Sequence, residues 1–198
     1  MKELHIISTG KQSLDEFVGK VKLIHKQIDY VHIREKMWTD DQYMTCINNL
    51  LTEGLPKQKI ILNNRPILAQ KMGLDHIHLP AAKLYEAMER YEQSVSYSVH
   101  NIAEARQAER RGASFVLAGH IYATDSKKDI QPRGLELLKV LRSQLTIPVI
   151  AIGGIRQEYV AQVLQAGASG IALLSHILLA EDCERESLAY RERLDKGG

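Results

Sequence analysis

From Leu4 to Ser175 the chain alternates short apolar runs with longer stretches of helical period. The runs are Leu4–Ser8, Tyr30–Glu35, Lys59–Asn63, His76–Pro80, Val95–His100, Ser114–Gly119, Pro148–Gly153 and Gly170–Ser175. Short runs of this kind separated by helical patterns predict βα units and a parallel sheet. Ser13-x-x-Glu16, Thr39-x-x-Gln42 and Asn101-x-x-Glu104 have the spacing of helix N-caps, and Gly54, Gly73, Gly112 and Gly167 fit helix C-termini. The Leu135–Leu145 pattern predicts a helix with a core-facing stripe. Eight units in 198 residues leave about 25 residues each, compact but workable for a (β/α)8 barrel. The expected fold is therefore α/β, a single TIM-barrel domain over residues 1–198, with a doubly wound open sheet as the alternative.

The densest information lies in Ile147-Pro148-Val149-Ile150-Ala151-Ile152-Gly153-Gly154-Ile155. A strand buried on both faces ends there in two glycines, just before the helical pattern of Gln157–Gln165. Glycines let a ligand approach the backbone, and N–H groups at a helix start can hold an anion. Gly170–Leu174 repeats the arrangement, and Ser175-His176 opens the next helical stretch. Two such turns side by side late in a barrel make a phosphate cup, which implies a small phosphorylated ligand.

Bulk composition changes this picture little. Apolar residues are 44%, charged residues 25% and the net charge +2, which gives no reason to expect nucleic acid or a membrane surface. Cys46 and Cys183 form no metal spacing. With no signal-like start and no apolar run near 18 residues, the default expectation is a cytoplasmic protein. A homodimer is the expected assembly if the chain is not monomeric.

In a barrel the active site sits at the C-terminal ends of the strands. The second run ends in His32-Ile33-Arg34-Glu35-Lys36, so strand alternation places His32, Arg34 and Lys36 on one face. The others end in Asn63-Asn64-Arg65, His76-Ile77-His78, Ser98-Val99-His100 and Gly119-His120, the last followed by Thr124, Ser126, Lys127 and Lys128. Polar and cationic groups thus gather at one end, suited to an anionic substrate. His5 and His100 read as structural or peripheral, and His25 lies on a helical stretch with no partner in view.

The ordered set Ile33-Arg34-Glu35-Lys36, Ile61-Leu62-Asn63-Asn64-Arg65, Ser98-Val99-His100, Gly119-His120-Ile121-Tyr122-Ala123-Thr124-Asp125-Ser126-Lys127 and Ala151-Ile152-Gly153-Gly154-Ile155 resembles the thiamine phosphate synthase superfamily over about residues 4 to 180. Synthases of that superfamily join a pyrimidine pyrophosphate to a thiazole phosphate, with magnesium held by carboxylates. This chain carries Asn64 and Lys83 where the resemblance implies those acids, and His120 where it implies proline. Within the superfamily it therefore looks most like the thiazole tautomerases.

That likeness implies a cofactor-independent isomerase that aromatises a carboxylated dihydrothiazole phosphate, with no metal and His120 as the proton shuttle. It implies substrate contacts from Arg34, Lys36, Asn63, Ser98, Thr124, Ser126, Lys127, Gly153, Gly154, Leu174 and Ser175, and a small phosphorylated thiazole as partner. A synthase-like barrel that has lost catalysis and serves in ligand binding or regulation is the alternative. The H-x-H spacing of His76 and His78 is a third reading, a metal-dependent hydrolase.

Overall fold

The computed structural model describes residues 2–87, 90–124 and 130–197. Its eight strands are β1 (Glu3–Ile7), β2 (Tyr30–Ile33), β3 (Ile60–Asn63), β4 (His76–Leu79), β5 (Ser94–Val99), β6 (Phe115–Gly119), β7 (Val149–Ile152) and β8 (Gly170–Leu173). Each pairs in parallel with the next, and β1 closes on β8 through Glu3 opposite Gly170 and Leu4 opposite Ile171. The sheet is a closed barrel, which excludes the open doubly wound alternative. Two of the eight apolar runs, Tyr30–Glu35 and Gly170–Ser175, overreach their strands at the C-terminal end by two residues, because loop residues continue the pattern past the last ladder bond.

Helices α1 (Leu14–Ile24), α2 (Asp40–Thr52), α3 (Pro66–Lys71), α4 (Ile102–Arg110), α5 (Gly134–Gln144), α6 (Val160–Gln165), α7 (Ser175–Leu178) and α8 (Cys183–Lys196) surround it. The predicted N-caps hold. Ser13 Oγ accepts from the Glu16 N–H at 3.2 Å while the Glu16 carboxylate accepts from the Ser13 N–H at 2.8 Å. Thr39 and Gln42 do the same, and the Asn101 side chain accepts from the Glu104 N–H. All four C-terminal glycines take positive φ, from 60° at Gly73 to 106° at Gly167. The β4–β5 connection breaks the pattern with a 3-10 turn at Ala81–Tyr85 in place of an α-helix among its described residues. Among the described residues no helix is long and apolar enough to cross a membrane.

Two apolar regions follow from strand alternation. Outward residues such as Leu4, Ile6, Val31, Ile33 and Leu62 join the helix faces in the main core. In α1, Phe17, Val18, Val21 and Ile24 are buried, spaced to cover one helical face. Inside the barrel, Ile7, Ile61, Phe115, Leu117, Ile150 and Ala172 form a second, smaller cluster. The other half of the interior is polar. His5, His32, His78 and Ser96 are buried there, an expensive arrangement unless each group finds a hydrogen-bond partner. Below the barrel, Arg191 of α8 donates to Lys2 O, to Gln27 O and to Asp29, tying the helix to the barrel floor.

Candidate functional site

A cavity of about 770 Å³ opens at the C-terminal ends of the strands. Arg34, Lys36, Asn63, Ser98, His120, Thr124, Gly153, Gly154, Leu174 and Ser175 all line it. Ser126 and Lys127 lie outside the described residues. Glu35, Asn64, Arg65, His78, His100 and His176 line the same cavity and were not singled out as contacts. For Arg65 and His100 the signal was present, since both belong to strand-end clusters already recognised from the sequence.

The β2 end is held by its neighbours. Ser8 Oγ accepts from the Arg34 N–H at 2.8 Å, and Glu35 Oε1 accepts from the Gly10 N–H at 3.1 Å. The buried Tyr43 hydroxyl accepts from the Glu35 N–H at 2.8 Å and donates to the Glu35 carbonyl at 2.7 Å. One phenol therefore satisfies both backbone groups of the residue between Arg34 and Lys36. Tyr43→Phe should cost about 1–3 kcal/mol, because it strands a buried donor and acceptor. Chemical denaturation checks this, and an unchanged midpoint would show that water replaces the hydroxyl. Arg65 completes the cationic rim, 2.7 Å from Asp40 Oδ1 and 5.1 Å above the Tyr43 ring.

The cup forms where β7 and β8 end. Gly154 sits at φ 64°, and a Cβ there would lie 2.3 Å from Ala123 O. A Cβ at Gly153 (φ 99°) would lie 2.3 Å from the His120 Cβ. Only glycines let the β6 and β7 loops approach this closely. Ser175 opens α7, whose first N–H groups have no acceptor within the helix. At four residues α7 is too short for a macrodipole, so anion binding in the cup would rest on local N–H donors.

Two histidines at the mouth have defined partners. Ser96 Oγ donates to Ile77 O, so it accepts from His78 Nδ1–H at 2.9 Å. His78 Nε2 is then an acceptor, and the Ser98 hydroxyl donates to it at 2.8 Å. Burial, with smaller contributions from His5 and Arg34, lowers the His78 pKa to about 3, so this imidazole is neutral. His120 is 4% exposed, and its Nε2 lies 3.0 Å from the Ile130 carbonyl. Donation there ties β6 to the far end of its loop, the backbone-bonded role open to a strand-end histidine.

Among the described residues the two carboxylates of a magnesium site are lacking. Asn64 is exposed at φ 55°, and Lys83 pairs with Glu86 at 2.5 Å. Among the described residues Glu35 is the one carboxylate on the cavity wall. The residues present do not fit the two-acid magnesium site that the synthases imply. His76 and His78 do share the inward face, but His78 is taken up by Ser96 and Ser98. Among the described residues no three His, Cys, Asp or Glu side chains cluster as metal ligands.

Residues 4–177 match the family described as thiamine monophosphate synthase. A thiamine-phosphate synthase from Clostridium acetobutylicum is 34% identical over 187 residues, covering 90% of this chain and 88% of that protein. One from Pelotomaculum thermopropionicum is 36% identical over 191 residues, covering 93% and 86%. The solved thiamine phosphate pyrophosphorylase from Pyrococcus furiosus superposes with a TM-score of 0.78, covering 98% of this chain and 96% of that one at 23% identity.

These matches correct the isomerase reading, and with it the proton-shuttle role of His120. They favour an enzyme of the transferase type over both a tautomerase and an inactive binding protein. The isomerase expectation rested on single positions, chiefly Asn64, Lys83 and His120. The likeness to synthases runs over nine tenths of the sequence. The chain belongs to the thiamine monophosphate synthase family.

Proposed function

We propose that this chain is a transferase that joins a thiazole phosphate to a carbon activated by pyrophosphate, as the names of its relatives imply. The observation that carries the reading is one cavity with a glycine cup on one side and Arg34, Lys36 and Arg65 on another. The thiazole phosphate would sit with its phosphate on the backbone around Gly153, Gly154 and Ser175. Its ring nitrogen attacks the carbon bearing pyrophosphate on the pyrimidine partner. The C–N bond forms as the C–O bond breaks, and pyrophosphate leaves with the electron pair.

Negative charge grows on that leaving oxygen, and fixed cations aimed at it lower the barrier. Among the described residues Arg34, Lys36 and Arg65 are the Lys and Arg cations on the rim, and no step is assigned to magnesium. Asn63 and Ser98 would contact the heterocycle. Thr124, with Ser126 and Lys127, would cover the thiazole phosphate from the β6 loop. His120 would form a wall of the pocket.

A steady-state assay of pyrophosphate release tests this division of labour. Arg34→Ala should raise the KM for the pyrophosphate substrate at least about tenfold, about 1.4 kcal/mol of lost binding. Its Kd for thiazole phosphate alone should stay at the wild-type value. Equal KM values in a folded variant would place the pyrophosphate elsewhere.

A further inference from the structure

A file of hydrogen-bonded side chains runs through the barrel from its floor to the cavity. Glu3, the first residue of β1, has a side chain about a third exposed at the floor, with Oε2 3.0 Å from His5 Nε2. His5 Nδ1 lies 3.0 Å from His32 Nε2, and His32 Nδ1 lies 3.2 Å from Asn63 Oδ1 on the cavity wall. Both imidazoles are fully buried. Glu3, Tyr30, His32, His76 and His78 are the titratable groups that face His5.

A neutral imidazole has one donor and one acceptor, so such a file has a direction. An ionised Glu3 accepts only, which puts the proton of His5 on Nε2 and leaves Nδ1 bare. His32 must then donate from Nε2, leaving its own Nδ1 bare. That bare nitrogen needs a donor, so Asn63 turns its NH2 inward and its carbonyl oxygen to the cavity. Amide oxygen and nitrogen exchange places by a half-turn of the side chain. With Asn63 Oδ1 facing His32, every donor reverses, and His5 Nε2 then meets the carboxylate lone pair to lone pair at 3.0 Å. Only an added proton at the floor permits that direction.

We propose that Glu3 is a positioning residue: acting through His5 and His32, it makes Asn63 present its carbonyl oxygen, an acceptor, to the ligand. The site would then favour a ring carrying an amino group, an N–H donor that a thiazole lacks, at this wall. This deepens the reading of the barrel mouth as the ligand site, and rests on it. Burial and the neighbouring imidazoles of His5 and His78 keep His32 well below the usual histidine range, consistent with a neutral relay.

Nitrogen-15 NMR of histidine-labelled protein reads the tautomers directly and needs no substrate, so a failed transfer assay leaves the test intact. The expected wild-type state is Nε2–H with bare Nδ1 at both His5 and His32. Glu3→Gln, whose amide can donate as well as accept, should mix the two directions, and Glu3→Met should release the constraint. In both variants the ratio of affinities for an aminopyrimidine phosphate and inorganic phosphate should shift, while inorganic phosphate alone binds as before. A His32 protonated on Nδ1 in the wild type overturns the proposal. So do tautomers unchanged in both variants, or changed tautomers with an unchanged affinity ratio.

Discussion

Gly154→Asp is expected to lower the affinity for thiazole phosphate at least about 100-fold, close to 3 kcal/mol. The new Cβ would meet Ala123 O at 2.3 Å and the Tyr122 Cβ at 2.9 Å, so the β6 and β7 loops must part. The carboxylate also sets a like charge beside the phosphate. Gly112→Asp is the matched control. It has a similar φ of 75° but open space around its Cβ, at the end of α4 away from the cavity. It carries the same backbone strain and should leave affinity alone. Calorimetric titration of both variants, with circular dichroism to verify folding, makes the comparison. Equal binding by folded Gly154→Asp and wild type would mean that the phosphate sits outside the cup.

The buried histidines predict the second large effect, a loss of stability in mild acid. In the folded protein the His78 pKa is about 3, while in the unfolded chain it returns to about 6.5. Between those values the unfolded state binds a proton that the folded state refuses, so stability falls as pH falls from about 6.5 toward 3. His32 acts in the same direction. Each such histidine contributes a slope of about 1.4 kcal/mol per pH unit across its window. Urea unfolding at pH 7, 6, 5 and 4 should therefore show a steep decline. His78→Asn should show a shallower one, whatever its stability at pH 7. Identical slopes would show that folded His78 takes up the proton.

Much of the fold was legible because local chemistry and global architecture agree. Ser13, Thr39 and Asn101 cap the helices their spacing implies. Ile147–Ile152 could hardly be anything but a buried strand. Alternation tells which residues share a face, but not whether that face looks into the barrel or out to the helices, since both are buried. His5 therefore read as structural or peripheral, with nothing to show that it sits at the barrel's centre. The clue was collective: Glu3 and His5 on β1, His32 on β2, His76 and His78 on β4, and Ser96 and Ser98 on β5 all occupy alternate positions.

The site was legible for a related reason. Strand ends converge in a barrel, so Arg34, Asn63, Ser98 and Gly153 meet although they lie far apart in the chain. Reaction class was less accessible. Two missing acids and one histidine weigh heavily when motifs are read singly. The geometry gives His120 a backbone partner at Ile130, and a strand-end imidazole so held is compatible with many chemistries.

The transferase reading itself stands or falls on one product. Purified protein is incubated with pyrimidine pyrophosphate and thiazole phosphate, with magnesium and with chelator, and thiamine phosphate is quantified by mass spectrometry against released pyrophosphate. If the rim cations carry the leaving group, the two products appear in equal amounts and turnover persists in chelator. Absence of thiamine phosphate under both conditions, from protein that still binds thiazole phosphate, would contradict the assignment.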